Sequence, residues 1–478
     1  MATSSGNTHL NSNQILKKYF GYDEFREGQK EIVESIISGQ DTLAVRSTGS
    51  GKSICFQVPA LYFPGTTLVI SPLISLMADQ VDALNKLNIP ATFINSSLSR
   101  LESQQRIKKL LNHQYKLIYL SPEKLGSKSF RKILPQLKVN FIAIDEAHCI
   151  SMWGHDFRPS YQQIPVFISR LSTKPILGIF TATATEKITA DIKQWLQLKN
   201  PVVFKQSALR TNLNLNVIHC QSKAEKQLAL IKLLKNFQEK TGIVYCTTRR
   251  STQIISDMIN YLNIRQQLTD SRAEAYHGGL DSEKRAEIQE LFMKNQSKII
   301  CATNAFGMGV DKSDIRYVIH YQLPANLENY YQEVGRAGRD GKKSKCFLLF
   351  CEEDVFIQQR LLSNKTKNRY KVEIEKLKII TKAMTQGKCL QQALAKYFAD
   401  PITQPCGKCG FCRQYQLNLK ETEQENLNQI QTHELLGTLP FQTQYFIALL
   451  SPHTLEEWSS IPGIGKGIIE DLQRYEII

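Results

Sequence analysis

A chain of 478 residues, 42% of them apolar, can fold as three or four globular domains of roughly 100–200 residues each. No apolar run approaches the ~20 residues of a membrane-spanning helix. The polar opening, residues 1–13, lacks both the basic start and the apolar stretch of a secretory signal, so the expected location is the cytoplasm (nucleoid-associated) in a bacterium or the nucleus in a eukaryote, with no membrane partner.

The excess of 60 Lys and Arg over 44 Asp and Glu, net +16, carries no polybasic tail and favours a polyanionic partner bound on folded surfaces. Short apolar runs at 42–46, 67–71, 116–120, 141–145 and 176–181 alternate with helical patterns such as 53–61 and 73–87. That alternation predicts parallel βαβ units and a doubly wound sheet, with functional residues at the carboxyl ends of the strands. After a pause near 206–216 the pattern restarts, with strands expected at 215–219, 242–246, 273–277, 298–302, 317–321 and 345–350. The expected domains are therefore a first α/β lobe over 1–208, a second over 209–351, a helical basic segment over 352–413 that ends in a cysteine cluster, and a polar linker with a short helical region over 414–478.

The first predicted strand runs into Ser47-Thr48-Gly49-Ser50-Gly51-Lys52-Ser53, which opens a helix. Glycines let backbone amides curl around phosphates, Lys52 supplies a point charge, and Ser53 offers a hydroxyl to Mg²⁺. Asp145-Glu146-Ala147-His148 ends a later strand, where Asp145 can hold Mg²⁺ and Glu146 can polarise the attacking water. Together the two motifs point to an ATP-hydrolysing motor or a kinase-like ATPase. In the second lobe, Gly335-Arg336-Ala337-Gly338-Arg339-Asp340 sets two arginines three residues apart, suited to neutralising γ-phosphate charge.

Gln332 to Gly341, Ala302 to Lys312, Tyr276-His277-Gly278-Gly279-Leu280 and Thr181-Ala182-Thr183-Ala184, with Phe20-Gly21-Tyr22, Phe25-Arg26 and Gln29 upstream, resemble the ordered motifs of the RecQ family of superfamily 2 DNA helicases. The likeness runs from about residue 15 to Cys412. It implies two tandem RecA-like lobes, a helical zinc-binding subdomain, and 3′-to-5′ translocation on single-stranded DNA with duplex unwinding in recombination, repair or replication-fork processing. It further implies adenine recognition by Tyr22, Arg26 and Gln29, phosphate and Mg²⁺ binding by residues 48–53 with Asp145, and Arg336 and Arg339 as fingers. Asp311 would help complete the ATP site, and Gln332 would lie near the attacking water.

Ser151-Met152-Trp153-Gly154-His155-Asp156-Phe157-Arg158-Pro159 is similar to the family's aromatic-rich loop. Aromatic rings stack on unpaired bases, so Ser151, Trp153, His155, Phe157 and Arg158 are expected to couple DNA occupancy to Glu146. Met152 stands where the family usually has Gln. Arg46 and Ser47 replace an apolar residue and a proline, and Ala208 and Leu209 replace a Phe-Asp pair.

Seven of the eleven cysteines lie scattered, mostly in apolar runs, and read as buried hydrophobes in a reducing compartment. Cys389, Cys406, Cys409 and Cys412 instead offer four soft ligands for tetrahedral zinc, one from a helical pattern over 388–398 and three from a glycine-bearing knuckle. An iron–sulfur cluster is the rival occupant. The tail is too short for the winged-helix and helical domains that commonly follow in the family. Residues 461–467 resemble a helix–hairpin–helix turn, with an ordinary helix–helix connection as the alternative.

The expected cofactors are ATP, Mg²⁺ and Zn²⁺. The expected partners are single-stranded and duplex DNA, with single-strand-binding protein or other repair factors as further candidates, acting on a monomeric motor. The rivals are an RNA helicase of the same superfamily, a DNA-stimulated ATPase that remodels or anneals without efficient unwinding, and a non-catalytic DNA-binding module.

Overall fold

The computed structural model describes residues 10–474, except 48, 155, 208–209, 265–271, 308–311, 401, 418–428, 434, 440–442, 445–446, 448–451, 453–454, 456–457, 459–460 and 462. The first lobe is built on seven parallel strands, β1 (Thr42–Val45), β2 (Thr67–Ile70), β3 (Ala91–Ile94), β4 (Leu117–Leu120), β5 (Phe141–Ile144), β6 (Ile176–Thr181) and β7 (Val202–Lys205), in the order β3-β4-β2-β5-β6-β1-β7. The inner strands TLAV, TLVI, LIYL and FIAI are buried along their whole length, because helices cover both faces of a parallel sheet.

The second lobe contains β8 (Leu213–His219), β9 (Gly242–Tyr245), β10 (Ala273–Tyr276), β11 (Ile299–Ala302), β12 (Tyr317–His320) and β13 (Ser344–Phe350), also parallel, in the order β10-β11-β9-β12-β13-β8. All six strands expected here are present. In the first lobe β3 and β7 come as additions. They are the two edges of their sheet: Thr92 interrupts the apolar residues of β3, and β7 alternates half-buried and exposed residues.

The helices that matter for the site are α1 (Gln29–Ile37), α2 (Lys52–Tyr62), α3 (Glu186–Trp195), α4 (Leu327–Val334), α5 (Lys367–Thr385), α6 (Leu390–Tyr397) and α7 (Lys466–Arg474). Alternate residues of the second sheet feed two separate cores. Val244, Ile319 and Leu349 share one with Leu436, Trp458 and Leu472 of the tail. Ile243, Val318 and Leu348 share the other with Leu377, Ile380 and Leu394 of α5 and α6, so the cysteine-bearing subdomain is continuous with the second lobe. Among the described residues no helix is long and apolar enough to cross a membrane.

Candidate active site between the two lobes

Strands β5, β6 and β1 are neighbours, so the loops leaving their carboxyl ends gather at one edge of the first sheet. The loop after β1 turns through two left-handed glycines, Gly49 at φ 79° and Gly51 at φ 76°, before α2 begins at Lys52. Left-handed backbone is costly for residues with a Cβ, which explains glycine here. Lys52 Nζ donates to the carbonyls of Arg46 and Ser47 at 3.1 and 3.4 Å, and Ser53 Oγ accepts from Gln80 Nε2 at 2.8 Å. Burial pulls the Lys52 ammonium below the usual lysine range, opposed by the charges of Glu146 and Asp145.

Asp145 and Glu146 follow β5. Glu146 sits in left-handed backbone at φ 48°, and Tyr161, fully buried, donates its hydroxyl to the Asp145 carbonyl at 2.7 Å. Burial and then the neighbouring Glu146 push Asp145 well above the usual carboxylate range. Burial acts upward on Glu146 too, but the hydrogen bond and charge of His148, then Lys52 and Arg336, hold it low. His148 Nδ1 lies 3.2 Å from Glu146 Oε2 and 3.0 Å from Thr181 Oγ1, which ties the acidic pair to the end of β6.

The second lobe supplies the other wall. Arg336 and Arg339 lie on the turn that follows α4, and Arg336 is buried and donates to the Gly307 carbonyl. Arg339 lies against Gly49, and its charge is felt at Lys52 as that of Arg336 is at Glu146. Both arginines therefore face the loops of the first lobe across one cleft. Gln332 is half-buried on α4 in the same region. Thr48, Asp311 and His155 lie outside the described residues.

The upstream motif docks on the phosphate loop. Gln29 Nε2 donates to Gly51 O at 2.9 Å and Ser50 O at 3.3 Å while its Oε1 accepts from the Arg26 amide at 2.8 Å, so both ends of this side chain are engaged within the protein. Arg26 donates to Gly49 O at 3.2 Å. Tyr22, 53% exposed, presents its ring to solvent. Arg46 has a structural role: it is buried, donates to Glu27 O at 2.8 Å and lies 3.4 Å from Ser50 Oγ, stapling this segment to the loop.

The sulfurs of Cys389, Cys406, Cys409 and Cys412 all lie within 4.8 Å of one another. Cys412 Sγ is 3.9 Å from that of Cys406 and 3.5 Å from that of Cys409, near the ~3.8 Å edge of a tetrahedron with ~2.3 Å zinc–sulfur bonds. Backbone amides of Cys406, Lys408 and Cys409 donate to the sulfurs, as thiolates require. The donor set fits zinc. Cys389 is the N-cap of α6 rather than a residue within the helix, a shift from the helical pattern expected at 388–398.

Residues 26–191 match the family model for DEAD/DEAH box helicases, 225–341 that for the helicase conserved C-terminal domain, and 352–413 that for RecQ zinc-binding. The probable ATP-dependent DNA helicase RecS of Bacillus subtilis (strain 168) is 44% identical over 350 residues, 73% of this chain and 68% of the relative. The chain belongs to the RecQ helicase family. The ATP-dependent DNA helicase RecQ of the same organism is 42% identical over 400 residues, covering 83% of this chain, which spans just under two thirds (66%) of that relative's length. A solved structure of the DEAD-box helicase Mss116 bound to ssRNA and UDP-BeF shares the fold, with a TM-score of 0.61 at 16% identity over 90% of this chain and 95% of that one.

In this RecQ chain the aromatic-rich loop folds back beside the acidic pair. A methyl group on Gly154 would stand 2.1 Å from the His148 carbonyl oxygen. Ser151 Oγ donates to Asp191 on α3 at 2.5 Å and accepts from the Trp153 amide at 3.0 Å. The Trp153 ring packs under the Lys187 ammonium, and the Arg158 guanidinium is engaged by Pro72 O at 2.9 Å and by Asp156. The sequence alone assigns no specific roles to His148, Thr181, Gln80 and Arg46. His148 stood in a quoted motif but carries no chemistry of its own, and Gln80 has no signal until the fold brings it to Ser53.

Proposed function

We propose that this chain is an ATP-dependent DNA helicase that moves along single-stranded DNA and separates duplex strands. The observation that carries the reading is the cleft itself, with Lys52 and Glu146 on one wall and Arg336 and Arg339 on the other. Residues 49–53 and Lys52 cradle the triphosphate, Glu146 orients and polarises the attacking water, and the two arginines offset charge that develops on the transferred phosphoryl group. Mg²⁺ held by the Ser53 hydroxyl and Asp145 would supply charge neutralisation at the phosphate oxygens. Cycles of closure and opening then shift the lobes along a strand that touches both. The Tyr22 ring suits stacking on adenine, and Trp153 and Phe157 suit contact with unpaired bases. Travel 3′ to 5′ and a DNA rather than RNA track rest on family membership.

The test is strand separation on a 3′-tailed duplex, comparing the protein with Lys52→Ala and offering DNA or RNA as the loading strand. ATP-dependent unwinding that vanishes in the variant supports the reading. Equal unwinding by both proteins would remove the site assignment. DNA-stimulated ATP turnover without strand separation would replace unwinding by remodelling or annealing.

A further inference from the structure

Three successive carbonyls of the aromatic-rich loop are taken by cations of one helix in the zinc subdomain. Arg369 on α5 donates to Met152 O and to Gly154 O at 2.9 Å, and Lys376 on the same helix donates to Trp153 O. Positions 369 and 376 are two helical turns apart and share a face. The Arg369 guanidinium also lies 5.9 Å from the Phe157 ring centre and pairs with Glu373.

Lys376 has a second partner in the other lobe. Its ammonium is 2.7 Å from Glu328 Oε1, with side-chain exposures of 3% and 0%. Tyr397 of α6 donates its hydroxyl to the same oxygen at 2.8 Å. Glu328 is on α4, the helix that carries Gln332 and leads into the turn bearing Arg336 and Arg339. A buried ammonium needs all of its few partners, because burial of an incompletely satisfied charge is strongly unfavourable. Displacing the loop takes a carbonyl from Lys376, and Glu328 must then answer the ammonium with Tyr397 alone.

We propose that Lys376 is a positioning residue that couples the DNA-facing loop of the first lobe to α4 of the second, so that the zinc subdomain takes part in nucleic-acid stimulation of ATP hydrolysis. The inference rests on the helicase reading above. Nucleic acid that engages Trp153 and Phe157 draws on the loop held by α5. The resulting change at Lys376 is passed through Glu328 to the helix ahead of the arginines. The two-state element is the loop, docked on α5 or released from it.

The test uses the full zinc-loaded chain and a single-stranded oligothymidylate. Lys376→Met alone leaves Glu328 buried without a counter-charge and risks unfolding, so the deciding variant is Lys376→Met with Glu328→Gln, and Lys376→Arg is the conservative control. The expected result for the double variant is unchanged zinc content, unchanged basal turnover and an unchanged KM for ATP. Its oligonucleotide-stimulated kcat falls at least tenfold, and hydrogen exchange around Trp153 rises without DNA. Lys376→Arg restores part of the stimulation. A double variant stimulated as well as the wild type overturns the coupling role alone. A wild type that no nucleic acid stimulates overturns both this inference and the helicase reading.

Discussion

Arg339 of the second lobe rests on Gly49 of the first: a methyl group at Gly49 would stand 3.0 Å from Arg339 Cγ, with φ already at +79°. The contact fixes how closely an arginine of one lobe can approach the phosphate loop of the other. Gly49→Ala is expected to strain the loop backbone by about 1–2 kcal/mol and crowd Arg339. The expected outcome is roughly 5–30-fold weaker nucleotide binding, read by titration with a fluorescent ATP analogue. Undiminished affinity would show that the loop does not need this conformation.

The two arginines make separate approaches, since Arg336 acts on Glu146 and Arg339 on Lys52. Replacing either by Ala is expected to lower DNA-saturated turnover by orders of magnitude, with about 10³–10⁵ as the range for fingers in related phosphoryl transfer. ATP should still bind. Lys should rescue poorly, because an ammonium cannot reproduce the planar donor fork. Turnover within a few-fold of wild type in both Ala variants would place the fingers elsewhere.

Glu146 is oriented by His148, which also meets Thr181. Glu146→Gln should keep nucleotide affinity and lose about 10²–10⁴ in turnover, the usual worth of a positioned base. His148→Ala should cost less at basal turnover but weaken the response to DNA, since it cuts the link from β5 to β6. Single-turnover ATP cleavage with and without oligonucleotide separates the two effects. A His148→Ala enzyme with full stimulation would leave the Thr181 contact merely structural.

What the sequence disclosed follows from how each feature is encoded. Inner strands such as FIAI and LIYL are buried on both faces and advertise themselves as apolar runs, whereas the edge strand β7 is only half-buried and its apolar stretch, Val202 to Phe204, is cut short by Lys205. Lys52, Asp145, Glu146, Arg336 and Arg339 sit in compact motifs whose spacing reports their chemistry. Glu328 and Lys376 are 48 residues apart, and nothing at either position hints at the other until the fold joins them. Arg46 looked like a departure at the phosphate loop, and only the structure shows its guanidinium holding the Glu27 carbonyl.

The four clustered cysteines should carry one zinc per chain, released by strong chelators or by mercurial titration. Cys389 and Cys409 belong to the apolar cluster that also packs the second sheet. Loss of zinc should therefore lower the melting temperature of the second lobe as well as unravel the knuckle. Zinc-finger peptides draw roughly 10–16 kcal/mol of apparent folding free energy from their metal. Here Leu377, Ile380 and Leu394 keep part of the subdomain packed, so a smaller loss is expected. A visible chromophore with stoichiometric iron would replace zinc by a cluster.

The tail offers a choice between packing and DNA contact. Leu436, Leu439, Trp458, Ile461, Ile464 and Leu472 are buried in the core that includes Val244 and Leu349 of the second sheet. Gly463, at φ +90°, is so close to Thr443 that a methyl group would stand 2.3 Å from its Oγ1, so tail packing alone accounts for glycine there. Truncation before Gln414 is expected to expose this core face and lower the melting temperature. Trp458→Ala should cost about 3–5 kcal/mol if the tail and lobe unfold together. If truncation instead leaves melting untouched while weakening binding to duplex DNA, the glycine turn serves a phosphate, since backbone amides there would add affinity without reading sequence.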